Sequence, residues 1–423
     1  RRAVRLSRFG EKFAGRSGVV DLMTDLGEAL RADPDLVFMG GGNPARVPAA
    51  EAAFRDALEK LVADGSEWQR LAGAYQSPQG DPAFREALAR YLRGHYGWDV
   101  GPGHIAIANG SQSAYFILYN LFAGPMPDGS QRRIHLPLVP EYIGYADAGL
   151  APDFFSATPP AIEQLPDRQF RYHVDFDQLV VDDGVGALCV SRPTNPTGNV
   201  LGADELARLG ALARDAGIPL IVDGAYGEPF PGITFTEATP HWDEDTVLTL
   251  SLSKLGLPGV RTGIVIAAEP LIQAFASAST IISLAAGNLG PVLATGLLED
   301  GTLDRLGSDV LRPFYRARCE ETLAGLHREL AGLPWRVHRP DGAFFLWLWF
   351  EDLPIPSSEL YRRLKARGLL AIPGERFFIG LDPAWDHARQ CLRLSYAQDP
   401  AAVARGLRLL GDELRGLYDS GGR

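Results

Sequence analysis

One lysine of this 423-residue chain stands apart from other charges, although the chain has only four lysines. Lys254 lies in the stretch SLSKLGLPGVRTGI, where the next charged residue is Arg261. Surface lysines usually lie among other polar groups because the ammonium is strongly hydrated. A lysine among serines, leucines and glycines either reaches from a loop into water or is held for chemistry. In the second case burial lowers the pKa of the amine, which can then form a Schiff base with a carbonyl.

Other candidate groups follow apolar runs that predict buried strands. The run IAIAN (105–109) precedes GSQS (110–113) at the start of an apolar-periodic helix, where backbone N–H groups and the helix dipole favour an anion. Asp223 and Tyr226 follow the run IPLIV, and a buried carboxylate is costly unless it is paired. Each feature also has a purely structural explanation as a helix cap or a turn.

Two more strand ends add an amide and hydroxyl groups. GALCVS precedes RPTNPTG (192–198), in which two prolines restrict the backbone and orient Asn195. TVLTL precedes Ser251, Ser253 and Lys254. Because ligands bind at the carboxyl ends of strands in an open α/β sheet, we expect all these groups to lie together. Together they meet the requirements of pyridoxal 5′-phosphate (PLP), which needs a Schiff-base lysine, an acid at its pyridine nitrogen and donors for its phosphate.

The elements that carry these groups alternate between strand and helix from about residue 100 to 270. This alternation predicts an α/β fold with a mainly parallel sheet covered on both faces. The segment YIGYADAGL (142–150) is predicted as one of the helices. After about residue 310 the pattern becomes α+β. We therefore expect an N-terminal arm that is part of a small domain (1–55), a large cofactor-binding domain (56–310) and a C-terminal small domain (311–423).

The motifs NPTG (195–198), D-x-A-Y (223–226) and S-x-S-K-x(6)-R (251–261) are highly specific in combination. With PEYIGYADAGL (140–150), they make the chain resemble the class I/II aminotransferases of PLP fold-type I over nearly its whole length. The resemblance implies a homodimeric enzyme of the cytoplasm. It implies ping-pong transfer of an amino group between alanine or pyruvate and a neutral branched-chain amino acid or its 2-oxo acid.

The resemblance also implies roles for individual residues. Lys254 would carry PLP as a Schiff base and act as general base and acid, with Asp223 and Tyr226 as the other catalytic residues. Arg393 would bind the substrate α-carboxylate with its planar guanidinium, although its strand pattern also allows a surface ion pair. The other implied contacts are Asp223 at the pyridine nitrogen, Tyr226 and Asn195 at the ring 3′-oxygen, Tyr142 on the ring face unless it is a core aromatic, Gly110, Ser111, Gln112, Ser251 and Arg261 at the phosphate, Tyr75 at that phosphate from the neighbouring subunit, and Gly42 and Asn195 beside the substrate.

The arginines of the sequence indicate the polarity of the substrate side chain. A clear second arginine for an acidic side chain is missing, and Arg192 is the one loose candidate. This favours small neutral amino acids over aspartate and glutamate. The PLP and carboxylate motifs are shared by C–S lyases, cyclising synthases and PLP-dependent oxidases, so one of these remains the alternative. A PLP-binding regulator is disfavoured because the segment before Gly40 is too short for a DNA-binding module, and a nicotinamide dehydrogenase is disfavoured because no GxGxxG motif follows an early strand.

Composition excludes several classes of partner. The net charge of −11 argues against nucleic acid and anionic membranes. Cys189, Cys319 and Cys391 are far apart and follow no metal spacing, which favours a reducing compartment and no metal site. The basic N-terminus lacks the apolar segment of a signal peptide, and no apolar run is long enough to span a bilayer.

Overall fold

The computed structural model describes residues 3–15, 17–381 and 385–421. Within these ranges the helices are α1 (Arg8–Ala14), α2 (Gly18–Ala32), α3 (Pro48–Ala63), α4 (Pro82–Tyr96), α5 (Ser111–Phe122), α6 (Ala203–Asp215), α7 (Glu269–Ser283), α8 (Leu289–Glu299), α9 (Thr302–Arg305), α10 (Arg312–Glu329), α11 (Ser357–Ala366) and α12 (Pro400–Ser420). The strands are β1 (Val37–Phe38), β2 (Ile105–Ala108), β3 (Gly124–Pro125), β4 (Gln131–Leu136), β5 (Phe155–Ala157), β6 (Ala161–Gln164), β7 (Gln169–His173), β8 (Val185–Ser191), β9 (Leu220–Asp223), β10 (Thr246–Ser251), β11 (Gly263–Ile266), β12 (Trp335–His338), β13 (Phe345–Phe350), β14 (Leu369–Leu370), β15 (Ile372–Pro373) and β16 (Cys391–Ser395).

The larger sheet has the strand order β2-β11-β10-β9-β8-β4-β3, with β5 paired to β4. Strands β10, β9, β8, β4 and β5 pair in parallel, whereas β11 is antiparallel to both of its neighbours. Every residue of β8, β9, β10 and β11 is buried, as expected for strands with both faces covered. The predicted α/β architecture with a mainly parallel sheet is confirmed.

A second sheet contains most of the C-terminal strands in the order β15-β16-β13-β12-β7-β6. The hairpin β6–β7 reaches this sheet from the middle of the chain, because β7 pairs in parallel with β12. The N-terminal strand β1 pairs in parallel with β14. An N-terminal strand and one internal hairpin thus pair with strands from the C-terminal part of the chain. The domain boundaries at residues 55 and 310 remain a prediction.

Neighbouring strands of the larger sheet end at the same level. Ser191 at the end of β8 is paired with Asp223 at the end of β9, and Asp223 is paired with Thr249 of β10. Helix α5 starts directly after β2, which pairs with β11. The carboxyl edge of the sheet therefore gathers the groups that the sequence singled out.

The segment 142–150 corrects one expectation, because it forms only a short 3₁₀ turn, Ile143–Tyr145, and no α-helix. Its glycines allow aromatic rings to lie against the backbone. A Cβ on Gly144 would stand 2.4 Å from the ring of Tyr142, and one on Gly149 would stand 2.2 Å from the ring of Phe154. The apolar pattern of this segment therefore reflects packing on both sides of an irregular loop.

In the part of the chain that the structure describes, no helix combines the length and the apolar character that crossing a bilayer requires.

Candidate active site

Lys254 lies just after β10, and its side chain points into a cleft at the carboxyl edge of the larger sheet. Its Nζ atom donates a hydrogen bond of 2.5 Å to the carbonyl oxygen of Gly42. The same atom lies 5.6 Å from the ring centroid of Tyr226 and 5.8 Å from that of Phe344. Burial, followed by the charge of Arg393, lowers the pKa of the amine to about 8. A lysine with this pKa is neutral in a useful fraction of molecules near neutral pH, as a nucleophile or general base requires.

Asp223 supplies a buried acid at the end of β9. Its Oδ2 atom accepts a hydrogen bond of 2.6 Å from the hydroxyl of Tyr145, and its Oδ1 atom accepts one of 3.0 Å from the backbone N–H of Ala225. Burial raises the pKa of the carboxyl, while these donors and the charge of Lys254 oppose the rise. The donors therefore stabilise the ionised form, which can face a protonated ring nitrogen.

Arg393 lies on β16 and enters the same cleft from the second sheet. Its Nη1 atom donates to Oδ1 of Asn195 at 2.8 Å, and its Nη2 atom donates to the carbonyl oxygen of Gly40 at 2.7 Å. Its guanidinium lies 4.2 Å from the ring centroid of Phe345. The side chain is 5% exposed, and among the described residues its Nε atom has no hydrogen-bond partner. A buried guanidinium without a carboxylate partner is a ready site for the carboxylate of a ligand.

An anion cradle forms where α5 begins. The guanidinium of Arg261 lies against Gly110, and a Cβ at that position would stand 2.1 Å from its Nη2 atom. Gly110 has φ of +87°, so glycine is required there for both space and conformation. Arg261 itself has φ of +49°, an uncommon conformation for a residue with a side chain. Its Nη1 atom donates to Oγ of Ser253 at 3.4 Å, within the turn that carries Lys254.

Ser111 and Gln112 provide the first backbone N–H groups of α5, and their side chains have other partners. The Ser111 hydroxyl donates to the carbonyl oxygen of Leu250 at 3.4 Å. The Gln112 amide donates to the carbonyl oxygen of Gly144 at 2.9 Å and accepts from the Tyr142 hydroxyl at 3.2 Å. Gln112 thus holds the loop of Tyr142 beside the cradle. In the same region, the Ser251 hydroxyl oxygen accepts from the backbone N–H of Ser253 at 3.0 Å.

Two expected site residues differ in position, because Gly42 lies beside Lys254 and Tyr75 lies on the surface. The backbone of Gly42 is in direct contact with Lys254, and a Cβ on residue 42 would stand 3.4 Å from the Nζ atom. Tyr75 lies on the surface with 83% of its side chain exposed. Its neighbour Ala74 accepts a hydrogen bond from Asn288 at 3.1 Å, so the backbone beside Tyr75 is held while the phenol projects outward.

Several residues of the site were not identified from the sequence motifs. Tyr145 supports Asp223, but it belongs to the segment predicted as a helix, where its direction could not be assigned. Phe345 is the first residue of β13, and its ring covers the guanidinium of Arg393. Glu141, which is 1% exposed, accepts hydrogen bonds from Ser191. Glu141 and Tyr145 lie close to Tyr142 in the sequence, which could have indicated that they share its loop. No sequence pattern indicates that they pair with Ser191 and Asp223.

Arg192 is buried like Arg393 but has different partners. Its Nε atom donates to the carbonyl oxygen of Leu201 at 2.8 Å, and its Nη1 atom donates to that of Thr239 at 2.9 Å. These contacts hold the loop that follows β8. Its Nε and Nη1 donors are therefore engaged by the backbone.

Comparisons with known proteins agree with this geometry. The family described as "Aminotransferase class I and II" matches residues 41–410. The valine–pyruvate aminotransferase of Escherichia coli (strain K12) is 49% identical over 96% of this chain and 97% of its own length. A putative amino-acid aminotransferase of Psychrobacter arcticum 273-4 has a TM-score of 0.96 at 40% identity, with coverage of 99% and 100%. The valine–pyruvate aminotransferase of Salmonella typhimurium LT2 has a TM-score of 0.88 at 46% identity, with coverage of 95% and 100%.

Proposed function

The chain belongs to the class I and II aminotransferase family and is a PLP-dependent aminotransferase, and from this premise we propose its substrates and the roles of its residues. The proposed reaction exchanges an amino group between alanine or pyruvate and a neutral branched-chain pair such as valine and 2-oxoisovalerate. The substrate pair is supported by the relatives from Escherichia coli and Salmonella, which are both valine–pyruvate aminotransferases. The neutral side chain is further supported by Arg192, whose Nε and Nη1 donors are engaged by two carbonyl oxygens.

The cleft fits PLP by the chemistry of its groups. The amine of Lys254 has a lowered pKa, and Asp223 is a buried acid whose donors favour ionisation. The cradle at Gly110 combines the start of a helix with the guanidinium of Arg261, as an ester phosphate requires. We assign Ser111, Gln112 and Ser251 to the rim of the cradle, Tyr142 to the ring face, and Tyr226 and Asn195 to the ring 3′-oxygen. Bound PLP would supply an electrophilic carbon and a ring that accepts electrons.

The observation that carries the assignment is the position of Arg393 relative to Lys254. The two side chains approach one cleft from different sheets, and the charge of Arg393 helps to lower the pKa of Lys254. Within the described ranges the Nε donor of the guanidinium has no partner, and the Nη1 atom donates to Asn195. The guanidinium can therefore receive the α-carboxylate of an amino acid. An amino acid held there presents its α-carbon to the cleft of Lys254, whose Nζ atom can take the proton from Cα and later return one.

The remaining residues orient these groups. Gly42 leaves room beside the amine of Lys254, because a larger residue would add atoms next to Nζ. Tyr142 is fixed by Gln112 through its hydroxyl, and Phe345 shields the guanidinium of Arg393 from water. Exclusion of water strengthens the electrostatic interactions between the substrate carboxylate and the arginine.

We also propose that two copies of the chain form the active enzyme, with Tyr75 reaching the phosphate cradle of the partner. Tyr75 is 83% exposed, and its phenol forms no hydrogen bond with any described residue, which supports a partner outside the chain. Cytoplasmic location stays a prediction and is supported by the three buried free cysteines, Cys189, Cys319 and Cys391.

The experiment that tests the proposal is visible absorbance of the purified protein with L-valine or L-alanine and no 2-oxo acid. We expect the absorbance band of bound PLP to change to that of the pyridoxamine form, with release of about one equivalent of 2-oxo acid, because a ping-pong enzyme completes one half-reaction alone. The matched control is Lys254→Ala, which should bind PLP without turnover.

Two results would count against the proposal. Release of ammonia, or of a cyclised product, without any 2-oxo acid acceptor would indicate a lyase or a synthase. Wild-type transamination by Lys254→Ala would remove the role of that lysine.

A further inference from the structure

A buried carboxyl group connects the segments that carry the cofactor and substrate residues. Glu141 directly precedes Tyr142 and is 1% exposed. Its Oε1 atom accepts a hydrogen bond of 2.8 Å from the backbone N–H of Ser191, and its Oε2 atom accepts one of 2.6 Å from the Ser191 hydroxyl. Oε2 also accepts from the backbone N–H of Tyr142 at 3.2 Å. One side chain thus joins the loop of Tyr142 to the end of β8.

The end of β8 is itself connected to the substrate side of the cleft. The carbonyl oxygen of Ser191 accepts from the hydroxyl of Thr194 at 2.8 Å, immediately before Asn195. The backbone N–H of Arg192 donates to the carbonyl oxygen of Asp223 at 2.9 Å. A displacement of Ser191 would therefore reach both Asn195 and Asp223.

The backbone of Glu141 extends the connection to the second sheet. Its N–H donates to the carbonyl oxygen of Phe377 at 2.9 Å. The ring centroid of Phe377 lies 5.3 Å from the guanidinium of Arg393. Through its backbone and side chain, Glu141 therefore contacts three segments. They carry Tyr142, Asn195 and Phe377, the last of which lies beside Arg393.

The carboxyl group is held by hydrogen-bond donors, and in the described ranges no lysine or arginine forms an ion pair with it. Burial raises its pKa to about 8, and the charge of Asp223 contributes to the rise. A buried acid without a counterion is costly unless hydrogen-bond donors are arranged around it in a suitable geometry. Three donors from two loops give it such a geometry.

We propose that Glu141 is a positioning residue that sets the Tyr142 loop and the Asn195 loop at the separation needed to bind PLP and the substrate carboxylate together. This inference rests on the proposed function. Glu141 does not reach the reacting atoms itself. It acts through Tyr142 on the cofactor side and through Ser191 on the substrate side.

The test compares Glu141→Gln with wild type in cofactor affinity and in steady-state kinetics. The amide retains the shape of the side chain but has only one oxygen. It therefore cannot accept from the backbone N–H groups of both Tyr142 and Ser191, which bond to different oxygens of Glu141. We expect the Kd for PLP, measured by fluorescence titration after removal of the cofactor, and the KM for L-valine each to rise about 5- to 30-fold, as for loss of a buried hydrogen bond. We expect kcat to change less, because Lys254 and Asp223 remain.

Two further variants make the result specific. Ser191→Ala removes the hydroxyl donor and keeps the backbone donor, so it should shift Kd and KM in the same direction by a smaller factor. Glu413→Gln is the matched control, because Glu413 is also a buried acid but pairs with Arg363 and Arg367 away from the cleft. It should lower thermal stability without changing Kd or KM.

The outcomes separate a positioning role of Glu141 from a general effect on stability, and both from failure of the proposed function. Wild-type Kd and KM in a folded Glu141→Gln, or in Ser191→Ala if Glu141→Gln does not fold, would overturn the positioning role. Equal loss of cofactor affinity in Glu413→Gln would also overturn it, because the effect would then follow general stability. Failure of the wild-type protein to bind PLP would overturn the proposed function, and with it this inference.

Discussion

Two buried arginines, Arg192 and Arg393, differ in the partners that they find. They are 8% and 5% exposed, and burial lowers the pKa of both guanidinium groups, to about 10 for Arg393. The described donors of Arg192 end on two carbonyl oxygens of neighbouring loops. Arg393 donates to one carbonyl oxygen and one side-chain amide, and its buried Nε atom has no partner among the residues that the structure describes.

Burial is common to both arginines, so burial alone cannot indicate which of them binds a ligand. Arg192 satisfies the backbone of its own surroundings and thereby stabilises the turn after β8. Arg393 is shielded by aromatic rings and leaves a hydrogen-bonding atom unsatisfied, which is costly unless a ligand completes it. We therefore expect the donor without a partner, and not the charge alone, to distinguish an arginine that binds a ligand.

The largest effect should follow from Arg393→Met. Loss of a buried partner for the substrate carboxylate should lower kcat/KM for L-valine about 100-fold or more, mainly through KM. Steady-state kinetics of the holoenzyme give this value, and the visible spectrum should still show bound PLP. A variant with unchanged KM would mean that the carboxylate binds elsewhere. The proposed functional difference between Arg393 and Arg192 would then be wrong.

Tyr145→Phe should have a smaller effect through Asp223. Without the hydroxyl donor the pKa of Asp223 should rise further, so the acid limb of the kcat/KM profile should move to higher pH and activity near neutral pH should fall about 10-fold. The matched control is Tyr119→Phe, whose hydroxyl pairs with Cys189 in the same aromatic cluster. An identical shift in both variants would show that ring packing, and not the donor, matters.

The pH dependence of PLP capture sharpens the role of Arg393. The pKa of Lys254 is lowered to about 8, so its ammonium loses a proton as the pH rises through that value. The rate at which the cofactor-free protein captures PLP should therefore increase with pH through about 8. Arg393→Met should move the midpoint to higher pH, because a cation that disfavours the ammonium is removed. A midpoint that does not move would show that the charge of Arg393 does not lower the pKa of Lys254.

Arg192→Met should have the smallest kinetic effect. We expect kcat/KM within about 3-fold of wild type, while the free energy of unfolding falls by about 1–3 kcal/mol because the carbonyl oxygens of Leu201 and Thr239 lose their donor. Denaturant unfolding and kinetics on the same preparation separate the two quantities. A large rise in KM for dicarboxylic amino acids alone would instead give Arg192 a part in substrate selection.

The sequence predicted the sheet and most of the cleft because both depend on local patterns. Apolar runs ending in Asp223, Ser251 and the NPTG turn place these residues at one edge for any mainly parallel sheet. The loop of Tyr142 was mispredicted as a helix because apolar spacing alone does not reveal rings packed on glycine backbones. The contacts of Glu141 and the free donor of Arg393 depend on pairs of residues far apart in the chain, which periodicity does not encode.

The pairing of β7 with β12 has a consequence for the order of synthesis. The hairpin Ala161–His173 leaves the ribosome long before Trp335–His338, whose strand covers its inner edge. Until then, Phe170 and Tyr172, which are fully buried in the finished protein, lack the sheet that covers them. Unpaired strand edges in incomplete chains are sites of aggregation. A fragment that ends near residue 310 would therefore retain this edge permanently, and the nascent chain passes through the same exposed state on its way to completion.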